Sequence, residues 1–191
     1  MMFNNLVNKK IILASKSPRR QELLKGLGLS FKIKTKEINE DFPNSIDNSD
    51  VAAFLAKKKA ESFALSNDEI IITSDTTVLL TNSILNKPQN TEEALRMLQR
   101  LSGKTHEVCT GVCIKSIEKE IIFSEFTSVT FKLLSLDEIE YYIKHFQPYD
   151  KAGSYGIQEW IGFIGVEKIE GCYYNVMGLP ISKLYQKLLE F

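Results

Sequence analysis

Several residue types are scarce in this sequence, and each shortage narrows what the protein can do. Three cysteines and two histidines occur in 191 residues. The odd cysteine count, without the paired spacing of zinc ligands, predicts reduced thiols rather than disulfides or a cysteine-bound metal. Two histidines leave little material for a histidine-rich metal site or for a serine-histidine relay.

The sequence also lacks net charge and long apolar runs. Its 24 basic and 24 acidic residues balance to zero, so we expect no broad electrostatic footprint for nucleic acid and no stable nucleic-acid partner. No apolar run approaches the roughly 18 residues of a membrane span. Residues 1–13 show no signal-peptide cleavage pattern. These absences predict a cytoplasmic protein without membrane contact, in which any anion is met by local groups.

Alternating strand and helix patterns indicate an α/β fold. With 43% hydrophobic residues, the chain can bury a full core, and we expect a single domain over residues 1–191. No linker or internal repeat interrupts the alternation. The patterns predict strands at 10–14, at 70–72 resuming at 78–80, at 105–115 and at 120–132, and helices beginning at 18, 49, 90 and 135.

The run from Ser15 to Leu24 is typical of an anion site. Ser17 is a suitable N-cap and Pro18 suits the first helical position, which places Arg19 and Arg20 in the first turn. Cations there are disfavoured by a few tenths to about 1 kcal/mol each. A bound phosphate would offset both. Alternatively, the arginines reach nearby carboxylates or solvent.

Asp75 interrupts an apolar strand and, if buried, needs a compensating partner. A metal, a lysine or a substrate could supply it. The alternative is a strand-end aspartate that caps a local turn. The lysine run 57–59 is the polar side of a predicted helix, although one of its lysines could lean toward phosphates.

Two further segments carry candidate residues. Residues 147–158 contain two glycines, Lys151, two tyrosines and Gln158, which suits a loop that closes over a small polar ligand or an ordinary connector. Lys87 precedes Pro88 in a stiffened loop, which alone is a weak signal.

Taken in order, these segments resemble the Maf family of nucleoside triphosphate pyrophosphatases from Ile12 to about Leu189. The resemblance is carried by Leu13–Leu24, Asp75–Val78, Lys87-Pro88, several residues between 101 and 112, Asp150–Gln158 and Asn175–Pro180. The resemblance implies a central mixed, twisted sheet flanked by helices, with a phosphate-binding cleft.

The resemblance also implies cleavage between the α and β phosphates to a nucleoside monophosphate and pyrophosphate. A divalent cation would assist, with Mg²⁺ expected and Mn²⁺ as the alternative. Asp75 matches the proton acceptor and, with Glu40, the metal ligands. Glu37 or Asp41 could replace Glu40, because this loop aligns less firmly. The other matching residues are Lys87 and Lys151 as catalytic charges, and Ser15, Ser17, Arg19 and Arg20 as phosphate-binding groups.

Thr76 and Gln158 resemble the branch of the family that favours dTTP and UTP, with modified pyrimidine nucleotides as further candidates. Together with Arg19 they are expected to select the base. Thr73-Ser74 and Glu159 depart from the common pattern, and Glu159 and Trp160 leave base choice open. The alternatives are 7-methyl-GTP as substrate, or a non-catalytic nucleotide-binding regulator of cell division. The sequence leaves oligomeric state open, with a homodimer allowed.

Overall fold

The computed structural model describes residues 3–191. It confirms an α/β fold with a mixed seven-stranded sheet flanked by helices, in the order β2-β1-β3-β5-β6-β7 with β4 paired to β3. The strands are β1 Lys10–Leu13, β2 Phe31–Ile33, β3 Glu69–Leu80, β4 Ser83–Leu85, β5 Thr105–Lys115, β6 Glu120–Phe131 and β7 Val166–Glu170. The helices are α1 Pro18–Gly26, α2 Val51–Glu61, α3 Thr91–Leu101, α4 Leu136–Phe146, α5 Trp160–Gly165, α6 Tyr173–Val176 and α7 Ile181–Leu189.

Contacts group the chain into two compact units. The first unit comprises Met1–Asp75, Thr110–Glu125 and Gly178–Phe191, and the second comprises Thr76–Cys109 and Phe126–Met177. The single domain expected from the sequence stays a prediction.

The first unit is built on parallel strands, of which β1 and the first half of β3 are largely buried on both faces. β1 pairs in parallel with β2 and β3. Successive side chains of a strand point to opposite faces, so Ile70 and Ile72 join a core with Leu24 of α1 and Leu184 of α7, while Ile71 packs with α2. Helices therefore cover both faces of these strands.

The predicted break in the middle strand is wrong, because β3 runs without interruption from Glu69 to Leu80. Two of its polar residues find partners on α2. The Thr73 hydroxyl donates to the carbonyl oxygen of Ala56 at 2.6 Å, and Asp75 forms an ion pair with Lys59. With these groups compensated, the strand continues through the polar residues.

The second unit has one core, formed by α3, α4 and α5 against β3, β5 and β6. Two predicted helix starts are confirmed: Asn90 accepts from the Glu93 amide at 2.9 Å, and Ser135 forms a capping box with Glu138. The hairpin after β3 turns at residues 81 and 82, since Leu80 pairs with Ser83.

The sequence did not predict α5, β7 and α6. These elements have six, five and four residues, too few for hydrophobic periodicity to establish. Pro180 occupies the N-cap position of α7. Within residues 3–191, no helix has both the length and the apolar character needed to span a membrane.

Candidate active site

The N-terminus of α1 forms as the sequence predicts. Ser17 occupies the N-cap position and Pro18 begins the helix, but the Ser17 side chain makes no cap hydrogen bond. Its hydroxyl oxygen is buried and finds no hydrogen-bond partner among residues 3–191. The Ser15 hydroxyl accepts from the Ser17 amide at 3.2 Å. The first turn of α1 therefore retains an unused hydroxyl beside the predicted phosphate-binding arginines.

Arg20 links α1 to two other segments of the first unit. Its Nε donates to the Gly178 carbonyl at 2.8 Å, and its Nη1 donates to the Ser74 carbonyl at 2.9 Å. Burial lowers the pKa of this guanidinium, and the negative charge of Asp75 opposes that shift. Arg20 thus fixes the backbone immediately before Asp75. Whether Arg19 and Arg20 also bind phosphate stays a prediction.

Lys59 of α2 brings the two predicted metal ligands together. Its ammonium group lies 2.9 Å from Glu40 Oε1 and is hydrogen-bonded to Asp75 Oδ1. The side chains of Lys59 and Asp75 are only 17% and 11% exposed, so water screens their attraction poorly.

The sequence singled out the lysine run but not this lysine. Positions three apart share a helix face, and alternate positions share a strand face. Ala56 and Lys59 therefore meet Thr73 and Asp75 as pairs. The helix and strand periodicities were the sequence signal that could have identified Lys59 as the partner of Asp75.

The geometry also separates the three acids of the 37–41 loop. Glu37 is exposed and bonds to Lys16 at 3.1 Å. Asp41 accepts from the Asn39 amide at 2.7 Å. Glu40 shares a cation with Asp75. In the described part of the chain, no group of three or more histidine, cysteine or acidic residues has the geometry to hold a metal ion.

A second lysine with two carboxylate partners lies in the second unit. Lys151 Nζ is 2.6 Å from Asp150 Oδ1 and 3.1 Å from Glu159 Oε1, and its side chain is 8% exposed. The other Glu159 oxygen, Oε2, accepts a hydrogen bond from the Tyr142 hydroxyl. Lys151 is therefore held between two carboxylates.

The loop that carries Lys87 adjoins the loop that carries Lys151. The Gly153 amide donates to the Asn86 carbonyl at 3.3 Å. Gly153 has a φ of +68°, and a Cβ there would lie 3.0 Å from both Val78 methyl groups. The positive φ and the close approach to Val78 favour glycine at this position, and the hydrogen bond to Asn86 links the segments of the two predicted lysines.

Gln158 lies in a tight turn of the second unit. The Glu159 amide donates to the Gly156 carbonyl at 3.0 Å, which closes the turn around Gln158. Gln158 Oε1 is buried and, within the described residues, has no hydrogen-bond partner. Thr76, the remaining predicted residue, follows Asp75 on β3 and begins the second unit.

The candidate residues thus fall into two sets, each within one unit. The first unit holds Ser15, Ser17, Arg19, Arg20, Glu40 and Asp75, and the second holds Thr76, Lys87, Lys151 and Gln158.

The family model described as Maf-like protein matches residues 10–191. The chain belongs to the Maf family. The dTTP/UTP pyrophosphatase of Parabacteroides distasonis is 49% identical over 193 residues, spanning 100% of both chains. That of Phocaeicola vulgatus is 50% identical over 190 residues, spanning 98% of both. Among solved structures, a HAM1 protein from Coxiella burnetii has a TM-score of 0.51 at 16% identity, covering 96% of this chain and 100% of that chain, which shows the fold alone.

Two departures from the common Maf pattern have partners in the structure. Thr73, one of these departures, donates to the Ala56 carbonyl and links β3 to α2. Glu159, the other departure, bonds to Lys151 and Tyr142. Both departures therefore add contacts beside predicted Maf site residues.

Proposed function

We propose that the protein hydrolyses dTTP and UTP between the α and β phosphates, giving the nucleoside monophosphate and pyrophosphate. The meeting of Glu40 and Asp75 on one ammonium group carries this proposal. Two carboxylates on one cation provide an ionised base and an oxygen-rich site in the same place. The names of the full-length relatives support the choice of substrates.

The same carboxylates suit a divalent cation. Both contact the Lys59 nitrogen and so lie in the same neighbourhood, and carboxylate oxygens are ligands that Mg²⁺ prefers. Mn²⁺ is the alternative. Mg²⁺ usually keeps several waters and binds through one or two carboxylates plus substrate phosphates. Once bound, the cation would neutralise phosphate charge and orient the triphosphate.

The residues of the first unit divide the remaining work. Asp75 accepts the proton of the attacking water, a role that typically contributes about 10²- to 10⁴-fold. Lys59 and Arg20 hold Asp75 in place through its carboxylate and its preceding backbone carbonyl. Arg19, with the hydroxyls of Ser15 and Ser17, donates to phosphate oxygens at the N-terminus of α1, where the helix dipole favours anions.

Lys87 and Lys151 neutralise the remaining phosphate charge. An ammonium is a compact point charge that suits phosphate oxygens. Their adjoining loops, joined through Gly153 and Asn86, support a shared role.

Gln158 supports the choice of base. A buried acceptor without a partner costs about 1 to 3 kcal/mol, so Gln158 Oε1 favours a ligand that donates a hydrogen. Uracil and thymine carry a hydrogen on N3, whereas N3 of cytosine is an acceptor. We therefore expect UTP and dTTP to be preferred to CTP, with modified pyrimidines accepted where N3–H remains. Thr76 and Arg19 complete the base-selecting set.

Product analysis tests the reaction. Purified protein with Mg²⁺ and UTP should yield UMP and pyrophosphate in equal amounts by ³¹P NMR, and excess EDTA should stop turnover. UDP with orthophosphate would exclude the proposed bond cleavage. Nucleotide binding without turnover would favour the regulator.

A substrate panel tests the base. Values of kcat/KM for dTTP and UTP should exceed those for CTP, ATP, GTP and 7-methyl-GTP. Gln158→Ala should lower the UTP-to-CTP ratio by about 5- to 150-fold, the equivalent of about 1 to 3 kcal/mol. If CTP or 7-methyl-GTP were the best substrate, the base assignment would fail while pyrophosphate release could still hold.

We also propose that this activity operates in the cytoplasm. We further propose that it needs no nucleic-acid partner, and the zero net charge supports this second point. A homodimer is compatible with the proposal, and sedimentation of the purified chain tests it.

A further inference from the structure

Both carboxylate oxygens of Glu159 are occupied by contacts within the second unit. Oε1 lies 3.1 Å from Lys151 Nζ, and Oε2 accepts from the Tyr142 hydroxyl. The side chain is 20% exposed. Although Glu159 stands at the N-cap of α5, it makes no side-chain cap hydrogen bond. Its carboxylate therefore serves contacts other than the helix.

The Tyr142 hydroxyl connects Glu159 to the turn that holds Gln158. This hydroxyl accepts from the Gly156 amide at 3.0 Å while it donates to Glu159. Burial, followed by the Glu159 carboxylate, raises the pKa of Tyr142, so the hydroxyl keeps its proton at neutral pH. The turn is closed by its backbone hydrogen bond from Glu159 to Gly156 and by this side-chain bridge.

The surroundings leave the turn little freedom. A Cβ at Gly156 would lie 2.7 Å from the Glu159 carboxyl carbon. A Cβ at Gly162 of α5 would lie 1.9 Å from the Ile157 carbonyl oxygen. Two glycines thus allow the carboxylate and α5 to pack directly against the backbone that flanks Gln158.

We propose that Glu159, acting through Tyr142, is a positioning residue that holds the turn of Gln158 in the geometry that selects the base. This inference rests on the proposed function, because it assumes that Gln158 reads the nucleotide. Glu159 touches neither base nor phosphate in this role.

The competing role for Glu159 is direct contact with the base, in which its carboxylate accepts a hydrogen bond from an amino group such as that of cytosine. The two roles predict different variants to be harmful. Positioning requires only an acceptor for the Tyr142 hydroxyl, so glutamine should replace glutamate. Direct contact requires the carboxylate and makes no use of Tyr142.

The experiment measures the ratio of kcat/KM for UTP to that for CTP in Glu159→Ala, Glu159→Gln and Tyr142→Phe. We expect Glu159→Ala and Tyr142→Phe each to lower the ratio about 3- to 10-fold, matching one lost hydrogen bond. Glu159→Gln should keep it within twofold of the wild type. The double variant Glu159→Ala/Tyr142→Phe should be no worse than the stronger single variant.

Tyr141→Phe is the matched control. It removes the same hydroxyl from the neighbouring residue of α4, and Tyr141 is exposed. It should leave the ratio unchanged. Thermal unfolding checks that each variant folds. If Glu159→Ala does not fold, Tyr142→Phe still tests the inference, because it leaves the ion pair between Glu159 and Lys151 in place. An unchanged ratio in folded Tyr142→Phe, or equal losses in the alanine and glutamine variants, would overturn the inference.

Gln158→Ala separates this inference from the proposed function. If it lowers the ratio while folded Tyr142→Phe does not, the positioning role fails and the base assignment stands. If Gln158→Ala leaves the ratio unchanged, both fail together.

Discussion

Each compact unit contains a lysine that is largely shielded from water and lies between two carboxylates. The two clusters differ in which of their residues carry the predicted function. In the first unit, the carboxylates Glu40 and Asp75 are the candidates, and Lys59 links them. In the second, Lys151 is the candidate, and Asp150 and Glu159 link to it. The same arrangement of charges can thus position two carboxylates to bind a metal ion, or one ammonium group to bind phosphate.

The difference shows why ion-pair geometry alone does not assign a role. In each cluster the lysine and one carboxylate, Asp75 or Glu159, are largely shielded from water, so their attraction is weakly screened. The surrounding motifs decide which member meets the substrate. Substitutions that remove one charge at a time therefore sharpen the comparison.

The largest effect is expected from Asp75→Asn. The change keeps the size of the side chain but removes its basicity, so kcat should fall about 10²- to 10⁴-fold. Asp150→Asn, the same change in the second cluster, should cost less than about tenfold, because Asp150 is an exposed partner of Lys151. Steady-state rates on UTP test the pair, and equal losses would remove the distinction between the clusters.

Lys59→Met tests whether Lys59 compensates the carboxylates. Removing one partner of a buried ion pair typically costs about 3 to 5 kcal/mol, and partial exposure of Glu40 should bring this toward about 3 kcal/mol. Mg²⁺ should restore part of the stability. Lys58→Met is the control, since Lys58 contacts a backbone carbonyl at the exposed surface. Matching urea midpoints for the two variants, with and without Mg²⁺, would contradict compensation.

The pH dependence of stability should show a second difference between the units, because both histidines lie in the second unit. Burial lowers the pKa of His106 to about 4, below its unfolded value of about 6.5. The unfolded chain then binds the extra proton between these values, so stability is complete above about pH 6.5 and is lost as the pH falls toward 4.

Protonation of His106 should lower the free energy of unfolding by about 3 kcal/mol in all, of which about 2 kcal/mol is lost between pH 6.5 and 5. Urea unfolding at several pH values measures it. His106→Gln should flatten this part of the curve, while the exposed His145→Gln should not. A wild-type slope in His106→Gln would assign acid sensitivity to other groups.

The smallest effect is expected at the arginine pair. Arg20→Lys cannot reproduce both hydrogen bonds to the Gly178 and Ser74 carbonyls, so unfolding should become easier by about 1 to 2 kcal/mol. Arg19→Lys should change KM for UTP more than stability. Calorimetry and kinetics on both variants test this division, and an unchanged melting temperature in Arg20→Lys would refute the structural role of Arg20.

Local signals predicted much of the fold. Residue patterns predicted the starts of α3 and α4 and the positions of β5 and β6, because these signals lie within a few residues of one another. The continuity of β3 could not be predicted, since it depends on Lys59 and Ala56, which reach Asp75 and Thr73 from α2. Short elements such as α5 and α6 carry too few residues for a periodic signal.

The candidate site shows the same division. Sequence motifs identified the charged residues of the candidate site. Their partners could not be predicted, because they depend on tertiary contacts. The sequence left Glu37, Glu40 and Asp41 as alternatives, and the structure shows that Glu40 shares Lys59 with Asp75. The contacts of Glu159 with Lys151 and Tyr142 were equally hidden, because α4 brings Tyr142 to the turn across 17 positions of sequence.

Cation binding tests the contrast between the two clusters most directly. Mn²⁺ can be titrated by its EPR signal in the presence of α,β-methylene-UTP, which is not cleavable at the proposed bond. Glu40→Gln and Asp75→Asn should each weaken Mn²⁺ binding by at least about tenfold, about 1.4 kcal/mol, whereas Asp150→Asn and Glu159→Gln should bind it like the wild type. Wild-type affinity in the first pair, or loss in the second, would contradict the assignment of the metal to the first unit.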